Sequence, residues 1–458
     1  MQRLKRRTLQ LSAGVLSLAL IAAACGSSGN KTSGGGTGGT GGTGNTTGTC
    51  SWAPGQQFYG GENNSGTPKR GGVLTALGRS DVDNALDLNI GYLTYDYSMY
   101  ELYNRGLYDY PSTHCQQVNA VPDLATGAPK ASADGLHVSV TIRKGAMWNT
   151  TPPRQVSAAD VILGLKRACN PTDPFGGTGD FSDFLVGYND FCNGFANVSG
   201  TSASDQAAYI NAHQISGVQV DPNDPETVNF TFSKPAAYLE GVMTLPPFHP
   251  APVEILQAVP DSNNVWQYVY SDGPYKIQSY DPGKSIDFVR NPSWNASTDP
   301  LRKAYVDEIK IDETSTNDTA FQQVSTNSPT ADIMWDTGVP TTQIPGLIAS
   351  KDPRVTMVSS AGPSYIVWNT VSPNNNKALQ NVAVRQALNT AIDRSLIQQD
   401  AGGPSIAPPI THVLAGPTIG YSPNYDPYPY DQAKAKQELA AAGASNLTLK
   451  FLYYATSQ

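Results

Sequence analysis

The order of apolar and polar positions predicts a chain in which strands and helices are interleaved. His137-Val138-Ser139-Val140-Thr141-Ile142-Arg143 alternates strictly, which predicts a half-buried strand. Val73–Leu77 and Ser285–Arg290, with segments 227–232, 305–312, 331–335, 365–369 and 447–454, read as further strands. Helical spacing is present over 98–107, where Met99, Leu102, Tyr103 and Leu107 recur on one face. It is clearest in Val384, Leu388, Ile392 and Leu396, which return every four residues. Ser157-Ala158-Ala159-Asp160 has the form of a capping box with Asp in place of Glu, and the helix it opens turns Val161, Leu165 and Ala168 to the core. Asp431 is placed to cap a helix over 432–442 that Gly443 ends. Residues 170–206 read as loop. Strands and helices mixed throughout, with Gly-Pro loops between them, put the chain in the α/β class.

The first 25 residues follow another pattern. Arg3, Lys5, Arg6 and Arg7 precede an apolar run over 9–24 that is too short and too rich in small residues for a membrane span. Ala22-Ala23-Ala24 then lead directly into Cys25. Residues 1–24 read as a secretory signal peptide. The junction resembles the lipobox of bacterial lipoproteins, which implies that Cys25 is lipidated and anchors the chain to the outer face of the cytoplasmic membrane. A plain signal peptide with a coincidental cysteine is the alternative, and Arg6-Arg7 leaves Sec or twin-arginine export open. Residues 31–50 hold nine Gly and seven Thr, a flexible tether, so anchor and tether occupy 25–70. Gly36-Thr37-Gly38-Gly39-Thr40-Gly41 matches G-x-G-x-x-G, but no strand precedes it and no helix follows, so it is a low-complexity coincidence.

Composition narrows the function. Of 458 residues, 39% are hydrophobic and 9% aromatic, enough to build a large core in two or three domains. The 43 Gly and 34 Pro argue against a helical bundle. Lys and Arg total 30 against 38 Asp and Glu, a net charge of −8 that becomes −12 without residues 1–24. That balance offers no footprint for nucleic acid and no long-range pull on anionic substrates. Five cysteines stand at 25, 50, 115, 169 and 192, one anchor and four others, which suits an exported protein. Four cysteines allow three connectivities. Cys169 and Cys192 bracket a loop-like stretch, so the pairing read here is Cys169 with Cys192 and, by elimination, Cys50 with Cys115. There is no C-x-x-C, and the five His are scattered, with only His114 beside a cysteine, so no metal or cofactor is expected. No G-x-S-x-G, H-E-x-x-H or P-loop is present, and no spacing picks out a triad, so the chain reads as a non-enzyme.

An ordered series of segments carries a more specific resemblance. It begins with Gly71-Gly72-Val73-Leu74, Leu86-Asp87 and Tyr100-Glu101-Leu102-Tyr103-Asn104-Arg105-Gly106-Leu107. It continues through Val121-Pro122-Asp123-Leu124-Ala125, Ser132-Ala133-Asp134-Gly135-Leu136, Ile142-Arg143-Lys144-Gly145-Ala146-Met147-Trp148 and Val156-Ser157-Ala158-Ala159-Asp160-Val161. Gly273-Pro274-Tyr275-Lys276, Arg290-Asn291-Pro292, Ala331-Asp332-Ile333, Val384-Arg385-Gln386-Ala387-Leu388, Ala391-Ile392-Asp393-Arg394 and Ala440-Ala441-Ala442-Gly443 complete it. From about residue 71 onward the chain resembles the extracellular solute-binding proteins of family 5, which serve peptide and nickel ABC importers. It departs from the family at Trp148-Asn149-Thr150-Thr151-Pro152-Pro153, where an Asp-Gly turn is usual, so an altered hairpin is expected.

The resemblance implies a two-lobed periplasmic-binding-protein fold (type II, cluster C-like) with an extra domain inserted on lobe I. It implies a lobe I of 71–108 and 225–362, an extra domain of 109–224, and a lobe II from 363 that is incomplete because the sequence reads as truncated after residue 458. It further implies a monomer that captures a small solute or peptide in the interlobe cleft and passes it to an ABC permease. Alignment to the family's ligand loop picks out Tyr92, Leu93 and Thr94; a second edge supplies Trp335 and Thr337; a crossing strand supplies Tyr365, Trp368 and Asn369. On that strand, Tyr365, Val367 and Asn369 would share one face, with Ile366 and Trp368 on the other. A peptide is the cargo expected first, a nickel chelate or oligosaccharide second. A secreted hydrolase and a surface lipoprotein without transport role are the readings from other classes.

Overall fold

The structure, a computed structural model, describes residues 58–59, 67–78, 80–82, 86–111, 119–355, 357–358, 364–404, 406–407, 410–414, 420–422 and 424–452, all within the unit Cys50–Gln458. Cys25, Cys50 and Cys115 lie outside the described residues. Two sheets carry the fold. The chain enters the first with β1 (Val73–Leu77) and leaves it for α1 (Thr94–Tyr103). The second sheet starts with β2 (Lys130–Ala131) and β3 (His137–Thr141). Three helices follow, α2 (Ala158–Arg167), α3 (Tyr188–Phe195) and α4 (Ala203–Ala212), before β4 (Val218–Asp221) and β5 (Asp224–Thr231) complete that sheet. Its order is β2-β3-β5-β4, antiparallel throughout. The chain then returns to the first sheet with β6 (Tyr275–Asp281), β7 (Ser285–Arg290), β8 (Glu308–Asp312) and β9 (Ile333–Met334). Here the order is β6-β7-β8-β1-β9, and β8, β1 and β9 run parallel.

Period-two patterning sets both registers. Val228 and Phe230 of β5 lie opposite Val140 and Val138 of β3, and all four are buried. Ile286 and Phe288 of β7 lie opposite Ile311 and Ile309 of β8, again all buried. Strand β5 pairs with β3 and β4, so a chain break at 224/225 falls within a hairpin of the second sheet.

α2 begins as expected: Asp160 Oδ2 accepts from Ser157 N at 2.9 Å, and Val161, Leu165 and Ala168 are fully buried. The same oxygen accepts from Trp148 Nε1 at 3.1 Å and Arg154 Nη1 at 3.0 Å, which ties the cap to the hairpin Met147–Trp148/Arg154–Gln155. That hairpin contains a cis Thr151–Pro152 peptide in place of the usual Asp-Gly turn. The Cys169–Cys192 disulfide is present, with Cα atoms 5.5 Å apart.

Several elements differ from expectation, each for a local reason. Residues 170–206 are not all loop. Tyr188, Phe191 and Phe195 line the buried face of α3, and Phe191 and Phe195 pack their rings on Tyr209 of α4 at 5.3 and 5.0 Å. Such pairs add roughly 0.5–1.5 kcal/mol each beyond burial, which offsets the helix-weakening Gly and Asp residues that suggested loop. α1 starts at Thr94, four residues early, because Asp96 Oδ2 accepts from Leu93 N at 3.1 Å; it ends at Tyr103, where Asn104 turns extended and its amide reaches Pro250 O at 3.3 Å. The long period over 384–396 is split into α5 (Val382–Thr390) and α6 (Arg394–Asp400), because Asp393 caps the second helix by accepting from Ser395 N. α7 (Gln432–Ala441) forms as expected, with Asp431 Oδ1 accepting from Lys434 N at 2.9 Å and Gly443 at φ +68. Residues 365–369 and 447–452 have no regular secondary structure and join no strand among the described residues.

Candidate functional site

The carboxyl ends of β8, β1 and β9 open on one edge of the first sheet, the place where parallel α/β sheets present ligand sites. Chain leaving β9 is held to β1 there: Trp335 N donates to Leu77 O at 2.9 Å and Thr337 Oγ1 to the same oxygen at 3.4 Å. Asp336 Oδ2 accepts from Ser80 Oγ at 3.0 Å. The first turn of α1 reaches these strand ends through Tyr95, whose hydroxyl donates to Glu313 Oε1 at 3.1 Å. The loop after β1 passes close by: Gly78 N donates to Asp312 O, and Ser315 N to Gly78 O at 3.1 Å. Tyr92, Leu93 and Thr94 lie directly before Tyr95 in the chain, and Trp335 and Thr337 follow directly after β9.

Their surroundings differ. Tyr92 and Leu93 are half exposed, at 51% and 50%, in the loop that leads into α1, and Thr94 is exposed as the helix's first residue rather than part of the loop. This loop is firmly held from behind. Tyr100 Oη accepts from Gly91 N at 2.9 Å and donates to Asp87 O at 2.7 Å, and Asn89 Nδ2 donates to Pro246 O and His249 O. Arg167 of α2 grips Asp87 with two bonds of 2.7 and 2.9 Å and reaches Leu88 O and Asn89 Oδ1. Trp335 is half-buried and lines a groove of about 410 Å³ with Ser98, Glu101 and Leu102 of α1 and with Tyr275, Arg302 and Tyr305.

The third expected group is placed differently. Tyr365 is 77% exposed and Asn369 exposed, with Trp368 half-buried, on a stretch with no strand partner among the described residues. The expected two-sided alternation survives, since Tyr365 and Val367 are far more exposed than Ile366. The crossing strand itself does not form. Asn369 instead makes a turn, its side chain accepting from Val371 N at 3.1 Å.

Residue types alone did not reveal the titratable groups at this edge. Glu313 is buried, and burial followed by the charge of Asp81 pushes its carboxyl up to about 8. Burial and then the neighbouring Glu313 raise the Tyr95 phenol, and Tyr280 donates to Asp81 Oδ1 at 2.8 Å. Acidic Asp312-Glu313 directly after an alternating strand was the signal available in the sequence. Behind the edge, Arg105 and Arg302 both bond Asp123, at 2.7 and 2.6 Å, and Arg302 also bonds Asp109 at 2.8 Å. Burial alone would raise Asp123, but the two guanidinium groups outweigh it and hold its carboxyl below the usual range. This buried network joins the segments at 105–123 to the loop at 298–302.

Parallel strand ends, a firmly backed loop that exposes Tyr92 and Leu93, and a groove lined by α1 and Trp335 are the features from which a candidate site is built. Residues 119–458 match the family model described as bacterial extracellular solute-binding proteins, family 5 (middle). The chain belongs to this family of extracytoplasmic binding proteins. It is 27% identical over 249 residues to the glutathione-binding protein GsiB of Escherichia coli K12, covering 53% of this chain and 45% of that protein. It is 26% identical over 330 residues to the heme-binding protein A of Haemophilus influenzae, covering 69% and 52%. The chain thus spans about half the length of these curated relatives. Among solved structures, the clavulanic acid biosynthesis oligopeptide binding protein 2 matches with a TM-score of 0.66 at 22% identity, over 86% of this chain and 68% of that one. The DppA periplasmic binding protein of Helicobacter pylori, in complex with the peptide STSA, matches at 0.59 and 21%, over 82% and 67%. These likenesses show the fold, mixed α/β of the two-lobed periplasmic-binding type, as the sequence led us to expect.

Proposed function

We propose that the protein is the solute receptor of an ABC importer, that it captures a short peptide at the edge formed by β1, β9 and the loop before α1, and that it delivers the peptide to a permease. The family match over residues 119–458 carries this reading. Three of the four similar proteins are named for glutathione, oligopeptides or the peptide STSA, against one named for heme, which favours a peptide cargo. Geometry adds a route: β9 is the last strand of its sheet among the described residues, so an extended peptide can pair beside it, with Tyr92 and Leu93 supplying apolar contact and Thr94 and Thr337 hydroxyls. In this reading Trp335 borders the peptide, and one face of segment 365–369, either Tyr365 with Asn369 or Trp368, meets it from the second lobe when the lobes close. The protein does no covalent chemistry; closure and exclusion of water supply affinity.

The proposed domains are lobe I, formed by 71–108 and 232–362, an extra domain of 109–231, and a second lobe from 363. They rest on the strand membership of the two sheets. The proposed location is the outer face of the cytoplasmic membrane, held by a lipid on Cys25 and set off by the 25–70 tether. Tryptophan fluorescence titration tests the cargo. Saturable quenching or enhancement with tri- to pentapeptides, and none with monosaccharides, a nickel–histidine chelate or haem, is the expected result. A response confined to one of the latter three would overturn it.

A further inference from the structure

We infer that the glycine pair Gly176-Gly177, in the loop that follows α2, is a positioning element for the ligand. It forms the seat that fixes the ring of Tyr92. The inference rests on the reading that Tyr92 meets the ligand.

Tyr92 is half exposed on one side, yet its other side is closely fitted. Its ring meets the buried ring of Phe175 edge-on, with centroids 5.2 Å apart and planes at 87°. A methyl at residue 176 would have as its three nearest neighbours Tyr92 Cδ1, Cγ and Cβ, at 3.0, 3.3 and 3.6 Å. A methyl at residue 177 would lie 2.6 Å from Tyr92 Cε2 and 2.8 Å from Phe175 Cε1. Gly177 has φ −100, a value open to any residue, so at this site glycine is required by the approach of the two rings and not by the backbone.

The seat is itself anchored. Phe175 N donates to Ala168 O at 2.7 Å, at the end of α2. Asn170 closes the turn between them by accepting from Thr172 N and Asp173 N and donating to Arg167 O and Asp173 O. The Cys169–Cys192 disulfide then fixes this turn to α3. Arg167, one turn earlier, holds Asp87, Leu88 and Asn89 on the chain leading to Tyr92. The extra domain therefore grips the loop both at its root and at its tip. A contact side chain held in place before the ligand arrives loses less freedom on binding.

The test uses the full chain with 3-fluorotyrosine at position 92 and a mixture of synthetic tri- to pentapeptides. Gly176→Ala and Gly176→Val crowd Tyr92 in steps, at an exposed site. Fluorine NMR without peptide should show the residue-92 resonance shift in both variants, more for Val. Peptide affinity, read by native mass spectrometry on the unlabelled proteins, should fall about threefold for Ala and tenfold or more for Val. In a Tyr92→Ala background both substitutions should change affinity less than twofold. An unmoved resonance, unchanged affinity, or an equal loss with and without Tyr92 would overturn the seat. If the resonance moves but the parent protein binds no peptide, the seat is upheld as the fixture of Tyr92 and the peptide reading is what fails.

Discussion

The ion pair between Arg167 and Asp87 gives the sharpest stability prediction, because both side chains are almost fully buried. Arg167→Met keeps most of the stem volume and removes the charge. It deletes two bonds to the Asp87 carboxylate and one each to Leu88 O and Asn89 Oδ1. Breaking a buried pair by removing one partner costs about 3–5 kcal/mol, since the other charge stays in the interior without its counterpart. At about 2 °C per kcal/mol for a chain of this size, the melting point should drop roughly 6–10 °C. The loss should also depend on pH with a definite sign. Burial raises the Asp87 carboxyl and Arg167 pulls it back only in part. Without Arg167 it rises further, so the folded state holds a proton that the unfolded state releases near pH 4, and stability falls as pH rises, by up to about 1.4 kcal/mol per pH unit. Differential scanning calorimetry at pH 5 and pH 8 measures both effects. The deficit should be smaller at pH 5, and Arg167→Met/Asp87→Asn should recover much of it at pH 8. A loss under about 1 kcal/mol at pH 8, or an equal loss at the two pH values, would refute the reasoning.

Two further outcomes follow from other buried groups. Asp272 is fully buried, its Oδ2 has no hydrogen-bond partner, and burial pushes its carboxyl up to about 7 despite Arg105. Its raised folded pKa means that its contribution to stability is complete below about pH 4 and lost as pH climbs to about 7; Asp272→Asn should flatten that part of the urea-midpoint profile, and an unchanged slope would count against the assignment. Reducing the Cys169–Cys192 bridge, which spans a sequence separation of 23, should cost roughly 3 kcal/mol in the chain-entropy account. Urea titration of the Cys169→Ser/Cys192→Ser protein checks this, and a midpoint equal to that of the parent would show that the loop needs no staple.

The features legible in the sequence were those with a strong local period or a self-contained cap. The alternation over β3, the Ser157–Asp160 box, the Asp431 cap and the Cys169–Cys192 pairing each depend on residues close in the chain or on a simple bracketing. What escaped depends on distant partners. α3 and α4 hold because Phe195 stacks on Tyr209 and Phe191 packs against it at a tilt, contacts hidden by the Gly and Asp around them. The start of α1 is set by Asp96, whose side chain reaches back to Leu93 N, and this moved Thr94 from loop to helix. Segment 365–369 has the alternation of a strand but no neighbour to pair with among the described residues, so pattern alone misassigned it. At the candidate site, the resemblance offered Tyr92, Leu93, Thr94, Trp335, Thr337, Tyr365, Trp368 and Asn369 as ligand contacts, while the burial of Glu313 near Asp81 and the approach of Gly176 and Gly177 to Tyr92 depend on residues far apart in the chain.

The central claim is peptide capture at the sheet edge, and native mass spectrometry of the purified chain with an equimolar mixture of tri- to pentapeptides tests it most directly. The account predicts discrete one-to-one adducts with peptides, weakened at least tenfold by Tyr92→Ala and by Trp335→Ala. Absence of any peptide adduct, or adducts indifferent to both substitutions, would contradict it.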